Sequence, residues 1–532
     1  MTIAYAKRLR GWRFILFNIV LGLGHIIVLF GIGSYIALLP HVAGDLGGVK
    51  PSFGTWGQTY FIIALALAFP IARWLSGRFG DYRLFIAAFV VYAFASYLCA
   101  ISQTLWLFVG ARILLGFSGG ITLFIGQPLL LKEYPDHLKL LSLGIWGLVT
   151  LMPFTVSFPI GGVIADELGW RYLFYLNIPL ALAIAAITGA LLAGRGFEHR
   201  HTRFDGIGFV LLALVLGSLQ TMLNLGNDFD WLDSPLLQRL LIVLIVALPC
   251  FIIWEFDEQH PAFNIRVFAH RNFTIGVICL TAGFFSIQGL LSVFIVQLQV
   301  LLGYSSFLAG MDYLPMILLA VPVALLMHKL PKGIDARLLA SLNLLGFAFT
   351  FYWLGLFDDP GSFEQIFWPM LLLGFFVGSF FTPLTQLTLH GLSGDQQIRA
   401  AEEAGFLRIV AGGFGITWQG VVLFRRAPFH QLDLADHFGG RRFASLDLLQ
   451  GFSSRLEAAG LDKSLVNGKL LTLIKQHAAI LALNDAFLLA SYLFIGLAGL
   501  VWLAYPTYQP LHPTLKEELV DMQAEEIVEE QS

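Results

Sequence analysis

Apolar positions along this chain run in long blocks. They show neither the alternation of a half-buried strand nor the one-sided stripe of a helix on a soluble core. About 20 apolar residues cross ~30 Å of hydrocarbon at roughly 1.5 Å per helical residue. Fourteen such blocks are read, at 14–38, 55–74, 84–101, 105–131, 140–165, 172–194, 206–225, 237–255, 273–300, 307–329, 337–356, 366–391, 404–424 and 484–505. Lipid offers no partner to a backbone N–H or C=O, so each block is expected to close its own hydrogen bonds as a helix. The Leu, Ala, Ile, Phe and Gly that fill the blocks lack the period-two pattern of barrel strands. The first block has no small-residue cleavage site and is longer than the apolar core of a signal peptide, which predicts a retained helix.

The connections add an orientation. With the N-terminus inside, Lys7, Arg8, Arg10 and Arg13, then Arg73, Arg78 and Arg83, then Lys132 and Lys139, and later Lys329, Lys332 and Arg337 all fall on the cytoplasmic side. The opposite short connections keep only Lys50, Arg171 and Arg239. An even number of helices preserves this asymmetry and predicts that both termini are cytoplasmic. Composition agrees with lipid as the main solvent: 57% of 532 residues are hydrophobic, 13% are charged, and the mean hydropathy is +0.76. A net charge of −3 gives no basic field for nucleic acid. Cys99, Cys250 and Cys279 all lie within blocks, so no disulfide framework is expected. No phosphate-binding loop, zinc spacing or hydrolase motif is present, which predicts neither an enzyme nor an ATP-driven pump, and no cofactor or metal.

A weak repeat organises the blocks. "GDYRLF" after block 2 is echoed by "GIDARLL" after block 10, which puts equivalent turns in two six-helix halves, with blocks 7 and 8 inserted between them. The expected units are 1–194, a linker with the inserted pair at 195–265, a second half at 266–505, and an acidic tail at 506–532. Parallel halves that rock about a midplane site are the architecture of alternating-access transporters.

Polar residues inside the blocks are the candidates for chemistry. Arg112 stands in "LFVGARILLGFSGGITLFIGQ", where a fixed cation is expected to face the central cavity and tune an acid or hold an anionic substrate group, the alternative being a tie to backbone carbonyls. In the turn after block 2, Gly77 and Gly80 permit a reversal, while Arg78 and Arg83 are placed to pair across the two halves as a gate, or simply mark the inside. In block 5, Pro153 and Pro159 remove backbone donors and Gly161 and Gly162 allow close helix approach. His25 and Asp312 are the titratable residues able to carry a proton, and Asp312 is favoured. Gln127, Gln288 and Gln386 are further cavity candidates, and Arg408 is assigned to the inner end of block 13.

Several longer motifs occur in a fixed order: "WLSGRFGDYRLF", "ARILLGFSGG", "PIGGVIADELGWRYLFYLNIP", "HPAFNIRVFAHRNFTIG" and "FFTPLTQLTLHGL". On these the chain resembles the major facilitator superfamily, in particular the EmrB/QacA-like exporters of the fourteen-helix drug:proton antiporter group. The resemblance implies an all-α polytopic fold of two six-helix bundles plus two inserted helices. It also implies proton-coupled efflux of amphipathic molecules across a bacterial inner membrane, and makes block 5 the antiporter motif. The chain departs from the family pattern at four places: Gly77 replaces an acidic residue of the gate turn, leaving Asp81 or a more distant partner, Arg73 stands where the pattern has glycine, Ser157–Phe158–Pro159 replaces the Gly-Pro ahead of the double glycine, and Gly31 stands where relatives carry a helix 1 aspartate.

The longest polar interruption, 425–483, has apolar residues at helical spacing and is expected to fold into short amphipathic helices outside the cytoplasm. The resemblance implies that a periplasmic membrane-fusion adaptor docks there, leading to an outer-membrane channel. A uniport or import-direction carrier of an organic anion, and a non-transporting sensor or scaffold, are the other readings. The topology is checked by cysteine labelling in spheroplasts. An impermeant maleimide should modify Ser453→Cys and spare Ser532→Cys; the reverse pattern overturns the orientation.

Overall fold

The structure is a computed structural model that describes residues 9–46, 51–135, 146, 149, 153, 156–193, 203–327, 334–357, 363–438, 454–455 and 463–507. Among them the secondary structure is helical, and thirteen helices are long and apolar enough to cross a membrane. Numbered in chain order together with the helix at 156–163, which is not among the thirteen, the helices are α1 (Trp12–Asp45), α2 (Pro51–Phe79), α3 (Asp81–Ile101) and α4 (Leu105–Glu133). Next comes α5, described over 156–163 and running into a π turn at Ile164–Leu168, followed by α6 (Arg171–Leu192). The inserted pair is α7 (Gly206–Leu225) and α8 (Pro235–Asp257). The second half holds α9 (Arg271–Leu302), α10 in two pieces (Ser306–Met311 and Leu314–Met327), α11 (Ala336–Leu354), α12 (Phe363–Leu389), α13 (Gly394–Phe438) and α14 (Lys463–Leu500). Much of predicted block 5, the 194–202 linker and the acidic tail from 508 lie outside the described residues.

Two large apolar cores, one per half, occupy the molecule. Their geometry is set by small residues. On α4, a Cβ at Gly116 or Gly120 would run into the carbonyls of Phe61 and Leu65 of α2. On α12, Gly374 and Gly378 stand in the same way against the carbonyls of Met316 and Ala320 of α10. Two G-x-x-x-G pairs therefore let backbone meet backbone at the same place in each half, the kind of packing that drives helix association in lipid. The repeated turn of the sequence thus has a repeated helix contact beside it. The inserted α7 packs on α2 and α13 through Ile63, Ala66, Leu212, Val215 and Val410. Much of α8 is exposed, with Ile242, Ile245, Val246 and Ile253 facing outward, as a lipid-facing surface requires.

One expectation changes. The segment 425–483 does not begin with separate short helices: α13 continues unbroken to Phe438 and α14 already starts at Lys463. The 45 residues of α13 span roughly 67 Å at 1.5 Å per residue, far more than a bilayer core. The amphipathic pattern was a true helix signal, and α13 runs on through Pro428; contacts from Arg426 and His430 to Asp485, both at 2.6 Å, tie the two extensions together. The middle of the segment, 439–453 and 456–462, lies outside the described residues.

The glycine contacts give a paired test. Gly116→Leu must separate α4 from α2 and should cost about 1–3 kcal/mol or more, read as a lower melting temperature. Gly110→Leu, on the same helix with nothing within 4 Å of its Cβ position, should melt like wild type.

Candidate functional site

The face that carries Trp12 and Tyr505 is called the terminal face and the opposite one the distal face. Between the two halves runs a seam, and its distal end is closed by α5. A Cβ at Gly161 would meet Ser34 of α1, and one at Gly162 would meet the backbone of Ser306 and Phe307 of α10. From the other side, Gly310 faces the backbone of Pro159. Asp166, in the π turn, accepts hydrogen bonds from the Ser306 and Phe307 N–H groups at 3.3 and 2.9 Å. Gln299 of α9 donates to the Ala37 carbonyl of α1 at 3.2 Å. The Pro159, Gly161 and Gly162 predicted for close approach therefore lie at this contact, while Pro153 is buried farther along α5.

Asp312 sits directly behind this seal. Block 10 is not one helix; it breaks at Asp312 and Tyr313, between Met311 and Leu314. Tyr313 is buried and donates its hydroxyl to the Leu291 carbonyl of α9 at 2.5 Å, which pins the break against that helix. The Asp312 side chain is 2% exposed, and its Oδ2 has no hydrogen-bond partner among the described residues.

At the terminal end, Asp81 of the gate turn engages its own half. Gly80 takes φ 86°, a conformation that favours glycine. Asp81 pairs with Lys132 of α4 and accepts from Ser76. The Arg78 guanidinium lies over Trp74, and that of Arg83 over Tyr82. The ion pair that crosses the seam belongs to Arg73, whose guanidinium meets Glu402 at 2.5 Å and Glu403 at 3.6 Å on α13. In the repeated turn, burial pushes the Asp335 carboxyl up, but hydrogen bonds from Arg337 and Thr507 outweigh it and hold the group at about 2. Asp335 is therefore a fixed anion at physiological pH, with no part in carrying protons.

Arg112 is 1% exposed. Its Nε donates to the Gly57 carbonyl at 2.9 Å and its Nη2 to Gln58 Oε1 at 2.7 Å, both on α2. Its guanidinium also lies 4.2 Å from the Tyr35 ring centroid and 4.3 Å from that of Phe61. Gln58 passes the link on by donating to the Ile32 carbonyl of α1 at 2.9 Å. These contacts favour the packing reading of Arg112 over the cavity reading, because two of its N–H donors go to α2 and its charge is enclosed by rings.

The other polar candidates are spread along the interior. His25 of α1 stacks on Trp146, with ring centroids 4.4 Å apart. Gln288 of α9 is buried with its Oε1 unpaired, whereas Gln127 is half-buried and Gln386 exposed. Arg408 of α13 lies between the Phe284 and Phe381 rings. A buried network that sequence reading did not assemble joins the inserted pair to both halves: Gln220 donates to Thr417 of α13 at 2.6 Å, and Asn224 to Thr59 of α2 at 3.1 Å. Its only sequence signal was an amide pair at i, i+4 in an apolar block.

Two helical bundles around a seam with polar groups at mid-depth are the architecture of a polytopic membrane transporter. The Major Facilitator Superfamily model matches residues 21–417, and the chain belongs to that family. It is 34% identical to the fatty acid resistance protein FarB of Neisseria gonorrhoeae over 88% of this chain and 92% of FarB. It is also 29% identical to the multidrug export protein EmrB of Escherichia coli K12, over 94% and 97% of the two chains. Among solved structures, a bacterial homologue of the human lysosomal transporter Spinster, inward-facing and unoccupied, superposes with a TM-score of 0.62 over 94% of this chain and 100% of that one, at 12% identity.

The Arg112 contacts yield a test. Arg112→Ala removes two hydrogen bonds from a charged donor, each worth about 1.5–3 kcal/mol, so folded yield and melting temperature should fall while the initial transport rate per folded molecule stays near wild type. A normal melt with transport at background restores the cavity reading.

Proposed function

We propose that this protein exports amphipathic small molecules across the bacterial inner membrane in exchange for protons, by alternating access, with both termini in the cytoplasm. The observation that carries the coupling is Asp312: a buried carboxyl with an unpaired oxygen, at a helix break, immediately behind the distal seal. A carboxyl in such a place is costly to keep charged, so it favours taking a proton when the site opens to the acidic side and releasing it when it opens to the other. Helix continuity is already interrupted there, which lets a change in charge act on Ser306–Met311, the piece that the Asp166 caps and Gly162 hold in the seal.

Export as the direction is supported by the similarity to export and resistance proteins. The distal extensions of α13 and α14, braced by Asp485, are the surface we assign to a periplasmic adaptor leading to an outer-membrane channel.

Proteoliposomes with an imposed proton gradient test the coupling. Asp312→Asn should lower gradient-driven dye transport at least ~10-fold, the scale of a lost coupling energy of about 1.4 kcal/mol or more, and leave substrate equilibration without a gradient intact. His25→Gln should have the smaller effect. Gradient dependence that survives in Asp312→Asn rejects the assignment.

A further inference from the structure

Two arginines lie inside the spans with opposite surroundings. Arg112 is satisfied and enclosed. Arg408 has no carboxylate partner and no hydrogen bond among the described residues; its only contacts of note are the faces of Phe284, at 5.8 Å from the ring centroid, and Phe381, at 5.0 Å. It is also only half-buried, unlike the fully enclosed Arg112. The opening lies inside the protein. Phe284 belongs to α9 and Phe381 to α12, and Gly412, one turn along α13 from Arg408, meets Phe284 and Gln288 of α9. The guanidinium therefore lies beside α9 and α12, and its charge also reaches His25 of α1 across the seam.

An intramembrane cation with five unspent N–H donors is costly unless something else supplies the acceptors. The immediate surroundings specify what fits. Phe284 and Phe381 are themselves half-buried, with rings 6.1 Å apart, and provide an apolar wall directly beside the charge. The buried Gln288 Oε1, unpaired on the same face of α9, adds an acceptor but no negative charge. We propose that Arg408 is a substrate subsite that receives the carboxylate of an anionic amphiphile, with the apolar tail laid against Phe284 and Phe381. A guanidinium pairs a carboxylate in bidentate fashion, so the subsite discriminates by headgroup charge while the phenylalanines tolerate varied tails. Arg408 lies five residues from Glu403, which meets Arg73 at the terminal end of the seam, or roughly 7.5 Å along the helix axis. It is therefore positioned to load substrate from the terminal side.

The inference rests on the protein being a transporter for amphiphiles but not on proton coupling, so its test is equilibrium binding with no gradient. The full-length protein in zwitterionic nanodiscs is titrated with dodecanoate, dodecanol and dodecyltrimethylammonium. Wild type should bind dodecanoate at least ~10-fold more tightly than the other two, the scale of one charge-assisted pair. Arg408→Gln should erase that ratio with dodecanol affinity unchanged, and Arg408→Lys should keep part of it. Asp312→Asn should keep all of it, which separates this subsite from the coupling assignment. Equal affinities in wild type, or a ratio that survives in Arg408→Gln, overturns the proposal. If the glutamine variant does not fold, the wild-type ranking and the lysine variant decide. Adding phosphatidylglycerol to the discs should leave the ratio intact; its collapse assigns the cation to a lipid headgroup and overturns the free-amphiphile reading.

Discussion

Hydrocarbon supplies no hydrogen bonds, and a polar group carried into it must either find its partner in the protein or stand beside space that something else fills. This constraint sorts the interior. Arg112 spends its donors on α2 and its charge on aromatic faces, and Gln58 carries the link to α1, so one charged side chain fixes three helices of the first half. Asn224 and Gln220 meet Thr59 and Thr417, which fastens the inserted pair to α2 and α13. Asp312 and Arg408 have no side-chain hydrogen bond or ion pair among the described residues, and they lie on α10 and α13 of the second half.

The same constraint explains why helices are joined by glycine. With lipid as solvent, burying leucine against leucine gains little, and close backbone approach takes over as the cohesive force. Gly116 and Gly120 on α2, and Gly374 and Gly378 on α10, form rigid pairs within their halves. Gly162 and Gly310 use the same geometry between halves, at the distal seal. A device that makes the bundles stiff thus also makes the seam close tightly.

Much of this was legible in the sequence. Block length gave the helices, because it depends on local composition. The G-x-x-x-G of block 4 was visible as "GFSGG", and Asp312 stood out as a lone carboxyl in an apolar run. Partner choice was hidden, since it depends on rotation about each helix axis and on neighbours far along the chain. Arg112 and Arg408 look alike in sequence, and only the neighbours at Gly57, Gln58, Phe284 and Phe381 separate them. The cross-seam ion pair joins residues 73 and 402, and a turn motif that drew attention to Arg78 and Arg83 concealed it. The helix limits near 438 and 463 were missed because α13 continues through Pro428 and α14 through Gly468, residues that read as stops in sequence.

The two ends of the seam also differ in what opening them requires. At the terminal end, Arg73 and Glu402 are partly exposed, and such an ion pair exchanges for water at a cost of about 1 kcal/mol or less, while Glu403 beside them is buried. At the distal end, Gly162 and Gly310 hold backbone against backbone, and separating them strands the N–H groups of Ser306 and Phe307 unless water follows. The costlier end is the one that needs a lever. Asp312 lies one residue beyond the short helix piece that begins with Ser306, so on the coupling proposed above the proton is taken up where the mechanical resistance lies. Arg408, in contrast, lies behind the end that opens at low cost, where a substrate needs only its own binding energy to enter.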